Sequence, residues 1–160
     1  MKNQSKYNLL EMKDYILSKA PFDVDTAIIL GSGMGAFADR LNNPINISYN
    51  DIPDYPLPTV KGHSGELSIG SIRDISLVVA KGRFHYYEGY DIETIALPVR
   101  LFHSLGIKKL IITNAAGSLS LNIPPGQMMI LDSHMDCTFR KSVSVPKKYN
   151  SKSQWPIKLK

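Results

Sequence analysis

Residues 26–41, TAIILGSGMGAFADRL, read as a short buried strand, a tight glycine turn and the start of a helix. The apolar run Thr26–Leu30 is too short for a helix, stops at Gly31-Ser32-Gly33, and is followed by a mixed stretch. A strand that turns directly into a helix is the building unit of α/β folds. Working outward, Glu66–Ile72 and Ile75–Ala80 flank Arg73-Asp74 and predict a hairpin whose second arm is buried. Lys109–Thr113 predicts a third buried strand that closes on Asn114-Ala115-Ala116-Gly117, and Gln127–Leu131 a fourth. Pro44, Pro53, Pro56 and Pro58 make 44–61 an irregular surface excursion with at most a short strand. Leu9, Met12, Ile16 and Ala20 lie three or four apart and predict a helix over 8–20. Asp91 is placed to cap a second helix, with Ile92, Ile95, Ala96, Val99 and Phe102 as its buried stripe, a bend at Pro98 and an end at Gly106. The expected fold is α/β, a mixed and mostly parallel sheet flanked by helices.

A chain of 160 residues with 43% hydrophobic and 21% charged residues fits one ordinary globular domain. No apolar run approaches the ~18 residues of a membrane helix. Glu11, Lys13 and Asp14 interrupt the N-terminal apolar positions, so that stretch predicts an amphipathic helix rather than a signal sequence. Cys137 is the only cysteine, which leaves no disulfide framework and no cysteine zinc site; a cytoplasmic location is the default expectation. The net charge of +5 is unevenly placed. All seven basic residues after Asp136 (Arg140, Lys141, Lys147, Lys148, Lys152, Lys158 and Lys160) stand without an acid, while the preceding stretch is slightly acidic. Residues 1–136 are therefore expected to form the domain and 137–160 a basic, poorly ordered tail. Nucleic-acid binding through that tail is the minor alternative, and would be salt-sensitive and lost on deleting residues 141–160.

Three stretches carry residues suited to chemistry. Gly31-Ser32-Gly33 offers backbone N–H groups and a hydroxyl at a helix start, which suits an anion, although a plain turn has the same signature. It lacks the Gly-Lys-Ser/Thr of a Walker loop, and Ala36 breaks the dinucleotide fingerprint. Gly82–Gly89, GRFHYYEG, follows a predicted strand, where open α/β sheets gather ligand groups. On an extended backbone Arg83, His85 and Tyr87 share one side, with Phe84 and Tyr86 turned away into packing. A guanidinium, an imidazole and a phenol facing one space suit an anion together with a polyhydroxylated molecule; an exposed polar strand face is the bland alternative. His63, in VKGHSGEL, is unremarkable alone. No cluster of residues with metal-ligand spacing is present in the sequence.

GSGMG, the stretch from IPDYP through TVKGHSGEL, GRFHYYEGY, LPVRLFHSLG and LIITNAAGSL occur in this order over roughly residues 20–135. Together they resemble the trimeric class of purine nucleoside phosphorylases. The resemblance implies a nucleoside phosphorylase-like fold and phosphorolysis of purine ribo- or deoxyribonucleosides, with inorganic phosphate as co-substrate and no cofactor or metal. It implies phosphate held by Ser32, His63, Arg83 and the N–H of Ala115, and ribose met by Tyr87 and His85. His85, between phosphate and the 5′ side of the sugar, is the implied catalytic residue, and Glu88 a neighbour that can position the others. The family's purine-reading glutamate and asparagine lie downstream of the TNAAG strand and find no match here. The expectation is thus a C-terminally incomplete fold with weak or no turnover by this chain alone, or a non-catalytic fragment that binds phosphate or joins intact subunits. Homotrimer formation is the further implication, with no membrane partner.

Overall fold

The computed structural model describes residues 5–20, 23–59 and 64–131. Two compact units are present, Met1–Ala116 and a second from Gly117 onward. Among the described residues of the first unit, two α-helices and five strands run α1 (Leu9–Lys19), β1 (Thr26–Ile29), β2 (Asn42–Ser48), β3 (Glu66–Ile72), β4 (Ile75–Lys81), α2 (Ile92–Ser104), β5 (Lys109–Ile112). The sheet order is β2-β3-β4-β1-β5. Strands β4, β1 and β5 are parallel, whereas β2, β3 and β4 form an antiparallel meander. The mixed sheet expected from the sequence is therefore present. In the second unit, described residues 117–131 hold no helix or strand, so the fourth strand expected at Gln127–Leu131 does not form there.

Alternation along the strands divides the core between two faces. Ala27, Ile29, Val78 and Ala80 point into the larger cluster with Met12 and Ile16 of α1 and Leu97, Leu101 and Phe102 of α2. Ile28, Leu30, Leu77 and Val79 point the other way and meet Ala38 and Leu41. Ala38 belongs to a 3-10 helix, Gly35–Arg40, and not to the α-helix that the strand–turn–helix pattern suggested. Only six residues separate the turn from Leu41 and β2, which leaves no room for a longer helix.

Four further expectations are corrected. The proline-bearing segment begins with a full seven-residue strand, β2. Pro44 is tolerated because β2 lies at the sheet edge and its register slips between Asn42 and Ile45, beside Asn43 at φ 47°. On α2 the buried face is Thr94, Leu97, Pro98, Leu101 and Phe102, while Ile92 and Val99 are exposed. The Tyr7 hydroxyl meets the Thr94 hydroxyl at 2.8 Å and turns that face toward α1. Strand β5 forms where expected but is exposed along its whole length, because it occupies the far edge of the sheet. Tyr86 also lies exposed instead of packing beside Phe84, since a 3-10 turn, Tyr86–Glu88, interrupts the extended backbone after His85.

Candidate active site

The parallel strands β1, β4 and β5 end on the same side of the sheet, so Gly31-Ser32, Gly82–His85 and Thr113–Ala115 emerge together. Chain exits at the carboxyl ends of parallel strands are where α/β sheets collect ligand groups. Hydrogen bonds tie the three exits. Thr113 N–H donates to the Ile29 carbonyl at 3.0 Å, and Gly31 N–H donates to the Thr113 hydroxyl at 2.8 Å. A side chain at position 31 would place its Cβ 2.5 Å from the Thr113 carbonyl oxygen. Glycine is thus required at position 31 for the approach of β1 to β5, a reason distinct from the ligand contact that the glycine turn suggested. Ser32 and Gly33 occupy the turn closed by Met34 N–H on the Gly31 carbonyl at 3.2 Å, and Ser32 is exposed.

Arg83 reaches across to the β5 exit. Its Nη1 donates to the Thr113 carbonyl at 2.6 Å and its Nε donates to Nε2 of His85 at 2.9 Å. The Nη2 amino group has no hydrogen-bond partner among the described residues. Ala115, two residues past Thr113, likewise has no acceptor for its N–H among the described residues.

His85 is fixed at both ring nitrogens. Because Arg83 Nε can only donate, Nε2 of His85 accepts, and the ring proton sits on Nδ1, 2.7 Å from Oε1 of Glu88. Oε1 also accepts the His85 backbone N–H at 2.8 Å. Oε2 accepts the Thr59 N–H at 2.8 Å and the Thr59 hydroxyl at 2.6 Å. The Glu88 side chain is only 2% exposed. Burial by itself would raise its pKa, but the bonds from Thr59 and then from His85 outweigh it and hold the carboxyl at about 2 instead of 4.5. Glu88 is therefore an ionised hub that joins the His85 imidazole to the loop ending at Thr59. The sequence marks Glu88 only as a neighbour in GRFHYYEGY, because the Thr59 partner lies 29 residues away.

Tyr87 is 75% exposed, and its ring stacks on that of His85 with centroids 4.8 Å apart and planes 16° apart. Arg83, His85 and Tyr87 do come together, through a 3-10 turn and not by strand alternation. Behind them Phe84 is buried against Tyr49, Tyr55 and Tyr90. Beside the site lies a cleft of about 170 Å³ lined by Leu30, Gly31, Gly35, Asp39, Ser64, Lys81 and Gly82. Lys81 is paired with Glu66 at 2.6 Å, so the charge on that wall is largely balanced. The structure thus gathers Arg83, His85 and Tyr87 and brings the Ser32 and Ala115 segments to the same end of the sheet; His63 lies outside the described residues. No group of three metal-ligating side chains occurs among the described residues. No helix there is long and apolar enough to cross a membrane.

Residues 25–157 match the Phosphorylase superfamily. Purine nucleoside phosphorylase 1 of Bacillus subtilis (strain 168) is 41% identical over 122 residues, covering 76% of this chain and 45% of the relative. Purine nucleoside phosphorylase of Rattus norvegicus is 37% identical over 137 residues, covering 85% of this chain and 47% of the relative. A crystal structure of a purine nucleoside phosphorylase in complex with ribose-1-phosphate superimposes with a TM-score of 0.67 at 41% identity, over 73% of this chain and 43% of that one. An inosine complex of the Schistosoma mansoni enzyme gives a TM-score of 0.65 at 39% identity, over 72% of this chain and 40% of that one. The chain spans a little under half the length of the relatives it matches.

Proposed function

The chain belongs to the phosphorylase superfamily, and on that footing we propose that it carries the phosphate and ribose half of a site for phosphorolysis of purine nucleosides. In that reaction a phosphate oxygen bonds to the anomeric carbon of the sugar while the bond to the purine nitrogen breaks and its electron pair leaves with the base. The products are free purine and ribose or deoxyribose 1-phosphate. The transition state resembles an oxocarbenium ion, so a fixed dianion beside the sugar stabilises it electrostatically.

The observation that carries this reading is the bridging of two strand exits by Arg83, which joins β4 to β5 and still keeps Nη2 for a ligand. Arg83 supplies the cation, Ser32 and the Ala115 N–H supply neutral donors, and His63 adds a further donor. Tyr87 and His85 face the ribose. With Nδ1 bonded to Glu88 and Nε2 accepting from Arg83 Nε, the His85 ring is locked between the two and orients the guanidinium beside the sugar. The same reading includes a homotrimer, a cytoplasmic location, and phosphate as co-substrate with no other cofactor.

A second reading rests on the span of the match, under half of each relative. By the resemblance, the residues that help the purine leave lie downstream of the TNAAG strand, and such help is worth roughly 10²–10⁴ in rate. For the 160-residue chain by itself we therefore propose weak or no turnover, with phosphate binding or association with intact subunits retained. The test is phosphate-dependent release of hypoxanthine from inosine, paired with the shift in melting temperature caused by inorganic phosphate. A phosphate-induced shift in the wild type that disappears in Arg83→Ala supports the site. Equal shifts in both refute it, and turnover at ordinary enzyme rates refutes the second reading.

A further inference from the structure

Two tyrosines of one aromatic cluster differ in what their hydroxyls do. Tyr49 and Tyr55 stack edge to face with centroids 4.7 Å apart, both buried, and both touch Phe84. The Tyr49 hydroxyl donates to the Gly82 carbonyl at 2.9 Å across 33 residues of sequence. The Tyr55 hydroxyl is buried with no hydrogen-bond partner among the described residues. Burial, and then the Glu66 carboxylate, hold the Tyr49 phenol far above its ordinary pKa, so the hydroxyl is a permanent donor.

Gly82 is the joint between the last residue of β4 and Arg83. Its φ of +146° is a backbone setting that only glycine adopts freely, and a residue without Cβ has little to stop the next peptide from rotating. The carbonyl bonded to Tyr49 belongs to the peptide that carries the Arg83 N–H, so fixing that carbonyl fixes the direction in which Arg83 leaves the strand. The backbone of Tyr49 is held too: its N–H donates to the Gly65 carbonyl at 2.8 Å, and Gly65 N–H donates to the Lys81 carbonyl at 3.0 Å. One buried residue thus braces the entry to β3 and the exit from β4.

We propose that Tyr49 is a positioning residue for anion binding: its hydroxyl, through the Gly82 carbonyl, sets the Arg83 guanidinium for phosphate. The proposal rests on the phosphate role given to Arg83 above and deepens it. Tyr49 touches no substrate, and its effect is read in phosphate affinity.

The experiment titrates inorganic phosphate into the 160-residue chain by calorimetry, comparing the wild type with Tyr49→Phe, Tyr55→Phe and Arg83→Ala. Tyr49→Phe keeps the ring and is expected to weaken phosphate binding roughly tenfold, in line with the large cost of small misplacements in preorganised sites. Tyr55→Phe removes a hydroxyl that has no partner among the described residues and leaves the affinity unchanged. Binding within twofold of wild type in Tyr49→Phe, with binding lost in Arg83→Ala, overturns the proposal and leaves the Arg83 site standing. Unchanged binding in Arg83→Ala overturns the site itself and the proposal with it. Equal weakening in both tyrosine variants also overturns it, by showing a general effect of the cluster. A second measurement needs no variant: phosphate added to wild-type chain carrying ¹³C at the Gly82 carbonyl is expected to shift that resonance. A resonance unmoved at saturating phosphate overturns the proposal.

Discussion

Replacing Glu88 by glutamine should destabilise the chain by about 3 kcal/mol at neutral pH, and the loss should fade in acid. The carboxylate accepts four hydrogen bonds of 2.6–2.8 Å, two from Thr59 and two from His85. A glutamine has one acceptor oxygen, so whichever pair it keeps, its amino group faces the donors of the other pair. The depression of the pKa from 4.5 to about 2 that these bonds produce gives the magnitude, since it corresponds to about 3 kcal/mol when the group is fully ionised in both states. The folded pKa lies below the unfolded one. The contribution is therefore complete above about pH 4.5 and is lost as the pH falls through about 2. Urea unfolding followed by far-ultraviolet circular dichroism, on wild type and Glu88→Gln at pH 7, 4 and 2.5, measures this directly. The gap should shrink to about 1 kcal/mol at pH 2.5. A gap below about 1 kcal/mol at pH 7, or one that stays constant across the series, refutes the account of Glu88 as an ionised hub.

Gly31→Ala should cost about 1–3 kcal/mol through the Cβ clash with the Thr113 carbonyl, measured by the same unfolding assay; a neutral effect would show that β1 and β5 can part freely. Thr94→Val removes the bonds to Tyr7 and Asp91 from a buried hydroxyl and should cost about 1–3 kcal/mol, with increased amide exchange in the first turn of α2. Ile112→Lys, on the exposed edge strand, should change stability by no more than about 0.5 kcal/mol while raising the concentration at which light scattering first detects aggregates. A large loss of stability in that variant would mean that β5 is covered.

The strands were legible wherever a short apolar run ended on a turn residue, as at Thr26–Leu30 and across Arg73-Asp74. What those runs could not disclose was the number of neighbours. Lys109–Thr113 reads as a buried strand because Leu110, Ile111 and Ile112 are apolar, yet a sheet-edge position leaves them exposed. On α2, apolar residues surround most of the helix, so periodicity admits two stripes, and Tyr7, from the other end of the unit, decides between them. Within the site, Arg83, His85 and Tyr87 were found by proximity in sequence. The Glu88–Thr59 and Tyr49–Gly82 bonds were not, because each closes a loop of about thirty residues and leaves no local pattern.

The place of β1 in the sheet has a consequence for how the chain is made. β1 is wedged between β4 and β5, and its last residue, Ile29, is bonded to Thr113, 84 residues further on. The β2-β3-β4 meander joins neighbours in sequence and can assemble as soon as it emerges from the ribosome, whereas β1 needs partners that are synthesised later. At typical elongation rates of ~5–20 residues per second the wait is on the order of 4–17 s. The strand synthesised first is among the last to find its place, and a nascent chain must shield Ala27, Ile28 and Ile29 throughout that interval.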